Sequence, residues 1–258
     1  MSTAFVTVSD LGYFNRAKKT INDLRTTGKW TGDIVLIAID MSPPSEFIKE
    51  YGIKVVSFPK IDITQFLNYI REKPISIPTC DGREWTKQNQ WEKLHVFDTW
   101  FKQWERIIYL DAGLRMLDDV SPFLELDWRG KFLAPDDDLW ELKKPFSEQV
   151  ELVNWPDKLT ELQTMCPGIC EGRYFLNCIW IYDTSIPINK EEFIDIIGKY
   201  PLWRTNEMGV MNVVINFMHK LWTVFPLYTS TGKILFDWSE RGGARWNKYC
   251  ALKYSVTL

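Results

Sequence analysis

Three apolar runs in this chain each stop at a carboxylate: Ala4–Ser9 leads into Asp10, Asp33–Ile39 into Asp40, and Arg106–Leu110 into Asp111. Runs of large apolar residues between turn signals are what strands buried on both faces of a parallel sheet require. Between the first two, Phe14–Thr27 places Ala17, Ile21 and Leu24 on one helical face, and Gly28 closes it. After the second, Pro43-Pro44 starts a short helix to Tyr51, and Ile53–Phe58 reads as a third strand. Strand and helix alternating at this spacing predict an α/β fold, with a mostly parallel central sheet flanked by helices and right-handed crossovers. In such sheets ligands bind beyond the carboxyl ends of the strands. A carboxylate at that place, Asp111 above all, serves either as a turn cap or as a ligand for a metal or charged substrate.

Further along, Thr64–Arg71 reads as a helix, Lys73–Arg83 as a loop, and Thr86–Trp104 as a long amphipathic helix. Lys131–Ala134 predicts a strand leading into Asp136-Asp-Asp138, and Tyr174–Tyr182 a strand with Asn177 inside it. Lys190–Lys199 and Asn206–His219 read as helices, and Leu221–Phe225 and Ile234–Trp238 as the last strands. Between Leu139 and Arg173 the pattern breaks into charge and loop residues, the mark of a lid or a binding excursion. Nothing repeats and no linker divides the chain, which predicts one domain over 1–258 carrying an insertion at about 139–173.

Composition narrows the function. A net charge of −3 lacks the basic excess of a nucleic-acid or membrane-surface binder. No apolar run reaches the roughly 18–20 residues of a bilayer span, and the first residues lack a signal-peptide pattern, which predicts a cytoplasmic protein. Cys166, Cys170 and Cys178 include no Cys-x-x-Cys pair for zinc. With His95 and His219 the only histidines, a Ser-His-Asp or Cys-His hydrolase is poorly supplied. Thirteen tryptophans lean toward a sugar-handling protein, since sugar faces pack on aromatic rings.

In order, Ala4-Phe-Val-Thr7 with Tyr13, Lys93-Leu-His95, Tyr109-Leu-Asp-Ala112, Ala134-Pro-Asp136, Phe175-Leu-Asn177 and Gly209-Val-Met-Asn212 resemble glycogenin-like, family-eight glycosyltransferases of the GT-A fold. The resemblance runs to about Leu227, the 139–173 excursion excepted. It implies a Rossmann-like nucleotide-diphospho-sugar domain that moves a hexose-type sugar, from a UDP-sugar by the family's habit, to a glycan or other hydroxyl acceptor with retention. By resemblance, Tyr13 would stack on the donor base, with Thr7 and Ser9 lining the base and ribose pocket. Lys93 and Asp111 would meet the donor phosphates, with Ala112 and Gly113 also in the nucleotide-sugar-binding set. Asp136 and Asn177 would contact the donor sugar, and Glu207 would lie near its reacting centre. There the family's Asp-Gln reads Glu207-Met208.

The family's Asp-x-Asp metal motif reads Asp111-Ala-Gly113 here. Mn²⁺ or Mg²⁺ is then expected to be held by Asp111, with Asp237 in place of a late histidine, and with Arg245 or Lys248 as the phosphate-side cation. The alternative is that basic residues replace the metal. No organic cofactor is expected. Trp140 and Trp155, in the excursion, are candidate acceptor platforms. Two other readings stand beside the transferase: a non-catalytic nucleotide-sugar- or glycan-binding domain, and a nucleotidyltransferase. The last usually carries a Gly-rich phosphate loop after its first strand, which Asp10-Leu-Gly-Tyr13 is not.

Overall fold

The computed structural model describes residues 2–72, 86–136, 145–149, 155–200, 205–230, 232, 235–236 and 251–252. Its centre is a seven-stranded sheet built from β1 (Thr3–Ser9), β2 (Asp33–Ala38), β3 (Lys54–Val56), β4 (Arg106–Leu110), β6 (Phe132–Ala134), β7 (Ile179–Asp183) and β8 (Trp222–Val224). The order across it is β3-β2-β1-β4-β7-β6-β8. β5 (Arg115–Met116) and β9 (Ala251–Leu252) form a separate parallel pair.

Side-chain alternation explains why the strands are apolar throughout. Ala4, Val6, Val35, Ile37, Ile107, Tyr109, Trp180 and Tyr182 enter the core on one face of the sheet. Their neighbours Phe5, Ile34, Leu36, Ile108, Leu110, Ile179 and Ile181 enter the core on the other. Both faces are therefore covered by helices, and polar positions inside the strands are correspondingly rare. On the second face α1 (Phe14–Arg25) buries Phe14, Ala17, Ile21 and Leu24 at helical spacing. α2 (Ser45–Tyr51) follows Pro44 and stops at Gly52, whose φ of 56° is the left-handed stop that glycine provides. α3 (Thr64–Glu72), α4 (Ser121–Leu124), α5 (Pro156–Met165), α6 (Lys190–Lys199) and α7 (Glu207–Met211) are the other α-helices among the described residues. The Asn189 and Glu192 capping box begins α6.

β1, β2, β3 and β4 run parallel, as the sequence predicts, but β7 is antiparallel to both β4 and β6. The inversion has a use: β7 enters the sheet at the same edge where β4 and β6 leave it. Its strand begins only at Ile179, so Asn177 lies before the strand rather than inside it, while Phe175 makes an isolated bridge to Asp136.

Two predicted helices differ in kind. Thr86–Trp104 is not one amphipathic helix but two 3₁₀ helices, Gln88–Phe97 and Thr99–Gln103. Asp98 breaks them: it is extended, and its carboxylate accepts the Trp100 N–H at 3.0 Å, a local bond that competes with helix continuation. Asn206–His219 is an α-helix only through Met211 and a π-helix over Asn212–Met218. There Asn212, fully buried, bonds both backbone groups of Phe175 and the Met208 carbonyl. The 139–173 excursion, read as irregular, contains α5, with Pro156 in its first turn. Of the predicted strand Ile234–Trp238, Leu235 and Phe236 are described and lie in no strand. No helix among the described residues is long and apolar enough to cross a membrane.

One buried side chain fixes the turn after Asp111. Thr20 of α1 donates from Oγ1 to Leu114 O at 2.9 Å and accepts from Gly113 N at 2.9 Å. Gly113 has φ of 111°, where a side chain would strain the backbone. Thr20→Val keeps the shape and leaves both backbone groups without their partner. It is expected to cost about 1–3 kcal/mol, read as a lowered urea midpoint with an unchanged slope.

Candidate functional site

The inverted strand brings three chain segments to one edge. Asp111 follows β4, Asp136 follows β6, and Asn177 precedes β7. Backbone bonds hold them in register: Asp111 N donates to Cys178 O at 2.8 Å, and Leu176 N donates to Pro135 O at 2.8 Å. Over this edge lie the 3₁₀ helix carrying Lys93 and the start of α7 carrying Glu207.

The 3₁₀ geometry presents Lys93. With three residues per turn, Trp91, Leu94 and Phe97 share one face and enter the core. Glu92 and His95 share another, where His95 Nε2 meets Glu92 Oε2 at 2.8 Å. That pair is tied to the loop before α3, since Ile61 N donates to Glu92 at 3.3 Å and Phe58 stacks on the His95 ring. Lys93 is left for the third face.

Its ammonium lies 2.9 Å from Asp111 Oδ1 and 2.8 Å from Glu207 Oε1. Two neutral groups complete the arrangement: Tyr109 OH donates to Asp111 Oδ1 at 2.8 Å, and Asn177 Nδ2 donates to Glu207 Oε1 at 2.9 Å. Glu207 is only 2% exposed, whereas the Asp111 side chain is 36% exposed, so the cluster opens at Asp111. Burial alone would pull the Lys93 pKa down; Asp111 and Glu207 outweigh it and hold the pKa above the ordinary lysine value. Burial, and then the charge of Asp111, push the Tyr109 phenol well up, so it remains a donor. Glu207 Oε2 is buried and has no partner among the described residues.

The remaining predicted residues lie at either end of this cluster. Thr7 and Ser9 are buried near the end of β1; Thr7 Oγ1 has no partner among the described residues, and Ser9 Oγ donates to Asp10 O. Tyr13 stands at the start of α1, 41% exposed, with the Arg16 guanidinium 5.0 Å from its ring. Asp10 links this end to the 3₁₀ helix that carries Lys93: it accepts from Tyr13 N at 2.9 Å and from Asn89 Nδ2 at 2.8 Å. At the other end Asp136 is fully buried and ion-paired with Arg173. Ala112 is half-buried in the turn that Gly113 closes. Trp155 packs edge-on against Tyr69 with centroids 5.0 Å apart, and so joins the core's shell. Asp137, Asp138, Trp140, Asp237, Arg245 and Lys248 lie outside the described residues. Sequence reasoning gave no role to Tyr109, Asn89, Asn206 or Arg173; Tyr109 sits two residues before Asp111 on the same strand face, a spacing that could have drawn attention to it.

No protein-family model matches the chain, and no curated protein matches it by sequence. Solved structures do. The apo WbbM bifunctional glycosyltransferase superposes with a TM-score of 0.54 at 13% identity, over 88% of this chain and 39% of that one. The galactosyltransferase LgtC, solved with donor and acceptor sugar analogs, gives 0.53 at 9% identity, over 82% and 70%. Core-mannan synthase A from Aspergillus fumigatus, in its Mn/GDP form, gives 0.51 at 13%, over 87% and 73%. The fold is GT-A. At these identities the likeness is one of fold, and the chain spans well under half the length of WbbM.

For a metal, the described donor set offers one place. Asp111 Oδ1 already carries two donors, and Gly113 supplies no second carboxylate, which leaves Asp111 Oδ2. Among the described residues no three His, Cys, Asp or Glu side chains gather as a ligand set. A hard divalent ion can still fit at one protein oxygen when a diphosphate and water supply the others. Charge favours it there, because one lysine faces two carboxylates in the cluster.

Proposed function

We propose that this chain is a glycosyltransferase that takes a hexose-type sugar from a nucleotide-diphosphate donor, a UDP-sugar, to a glycan or other hydroxyl acceptor, with retention. The observation that carries the reading is the buried Lys93 bridging Asp111 and Glu207 at the carboxyl edge of the sheet, with one Glu207 oxygen unpaired among the described residues. Transfer breaks the bond between the anomeric carbon and the diphosphate, so positive charge develops on the sugar and negative charge on the leaving group. Glu207 supplies a fixed carboxylate for the first. Its near oxygen is held by Lys93 and Asn177, which leaves the far oxygen, buried and without a partner among the described residues, to meet the sugar once the site opens. Lys93 uses two of its three N–H donors on the carboxylates and keeps the third for the leaving group. Asp136 and Asn177 would orient the sugar, and Thr7, Ser9 and Tyr13 the nucleoside, Tyr13 offering an exposed ring. The excursion at 139–173 would form the acceptor side of the single domain, with Trp140 and Trp155 as candidate platforms. Arg173, at its end, meets Asp136 directly.

Mn²⁺ or Mg²⁺, held by Asp111 Oδ2 and, from outside the described residues, by Asp237, would neutralise the diphosphate as it departs. Mn/GDP in the core-mannan synthase supports the idea by analogy of fold. Calorimetry of UDP with Mn²⁺, Mg²⁺ or chelator tests it. Affinity for UDP is expected to rise at least tenfold with Mn²⁺; equal affinity in chelator would assign the phosphates to basic residues instead. A non-catalytic nucleotide-sugar- or glycan-binding domain is the second reading, favoured by Gly113 standing where a second metal carboxylate would be. The deciding experiment is a thermal-shift screen over nucleotide sugars followed by assay of donor hydrolysis. A true donor at one hundred times its Kd should stabilise the fold by about 2.7 kcal/mol; a donor that binds and is never cleaved supports the second reading.

A further inference from the structure

Asn206, immediately before Glu207, is fully buried and has φ of 51° and ψ of −122°. Residues with a side chain rarely adopt this conformation, and glycine adopts it readily. An asparagine before a helix ordinarily caps it with its side chain, but Asn206 makes no such bond to α7. Its side chain goes elsewhere: Nδ2 donates to Lys87 O at 3.3 Å and to Gln90 Oε1 at 3.1 Å. Gln90 is in the 3₁₀ helix that carries Lys93, and Lys87 caps its start. The same two elements are joined again one residue later, where Glu207 meets Lys93 at 2.8 Å. A side chain is therefore kept where backbone conformation alone would select glycine, and what it provides is a tether between the two halves of the charged cluster.

We infer that Asn206 is a positioning residue: its tether to Lys87 and Gln90 holds a strained turn so that Glu207 keeps its unpaired oxygen in the site, level with Lys93. The inference rests on the reading of Glu207 as the carboxylate at the reacting sugar. Buried side chains that fix backbone in sparsely populated regions cluster where a reacting group must be held in one place.

Asn206→Gly separates positioning from stability. Glycine accepts the backbone conformation and removes the tether, so the variant is expected to melt within about 4 °C of wild type and to bind UDP within about twofold. Turnover of the donor should fall by about tenfold to a hundredfold at nearly unchanged KM, the cost of a misplaced reacting group. Asn206→Ala, which loses the tether and keeps the strain, should melt lower than both. Wild-type turnover by Asn206→Gly, or a parallel loss of UDP affinity and melting temperature, would overturn the inference. A crystal structure of Asn206→Gly gives a reading independent of activity. Glu207 is expected to leave Lys93 Nζ, and a Glu207 that has not moved sinks the positioning role whether or not a donor is ever cleaved. An absence of turnover in the wild type with every nucleotide sugar would sink the transferase reading and leave this second measurement standing.

Discussion

Lys93→Met should cost about 3–5 kcal/mol of stability and, on the proposed reading, abolish donor turnover. The reason is local and electrostatic. Methionine fills the space of the lysine stem, so the loss is not a cavity. It removes the ammonium that faces both carboxylates, and Glu207, 2% exposed, has no water to replace it. Asp111 is open enough to be solvated, which places the larger part of the penalty on Glu207. In a chain of this length the melting temperature should fall by about 6–20 °C. The pH dependence has a definite sign. The folded pKa of Lys93 is raised, so its contribution is complete below the ordinary lysine value of about 10.4 and is lost only as pH climbs through the higher folded value. The gap between wild type and variant should therefore not close as urea titrations move from pH 7 to 9; a gap that closes by pH 9 would contradict the raised pKa. Lys93→Met combined with Glu207→Gln should recover much of the stability and none of the turnover, because the buried charge is then gone from both partners.

The parts of this molecule that could be read in the sequence are those written in local pattern. β1, β2 and β4 announce themselves as apolar runs, and Asp10 and Asp111 as the carboxylates that end them, because a strand buried on both faces leaves no room for polar residues until it emerges. α6 was legible to the residue, since its Asn189 cap and apolar spacing are both local. What the sequence hides is pairing. Nothing local marks β7 as antiparallel, so nothing in the chain alone says that Asn177 will stand beside Glu207. Lys93 looks like any lysine on a helix; that it is buried depends on the segment being 3₁₀, which follows from the Asp98 break and from packing rather than from propensity. Asn206 reads only as the first residue of a helix, and the backbone angles reveal the turn it holds. Arg173 lay in a stretch with no periodicity to place it, and its partner Asp136 is 37 residues away.

Glu207→Gln carries the second large effect, and it separates chemistry from architecture. Glutamine is nearly isosteric, and its carbonyl oxygen can still accept from Lys93 and Asn177, so the fold should hold and the melting temperature should not fall. The cluster loses one negative charge and its formal sum goes from −1 to zero, a change that should if anything ease the approach of an anionic diphosphate. UDP affinity is thus expected to be equal or higher. Turnover is expected to fall by about 10²–10³ in kcat, the usual cost of removing one preorganised group that meets charge developing in the transition state. The pattern of a large kcat loss with nucleotide binding retained assigns Glu207 to the sugar face of the site. On the proposed reading, Asp111→Asn should give the opposite pattern, weakening UDP in the presence of Mn²⁺ more than it slows the bound donor, because Asp111 is the exposed member of the cluster and would face the diphosphate. If the two substitutions gave the same pattern, the division of labour between the two carboxylates would be wrong, and Lys93 would be bridging two groups that serve the same end of the donor.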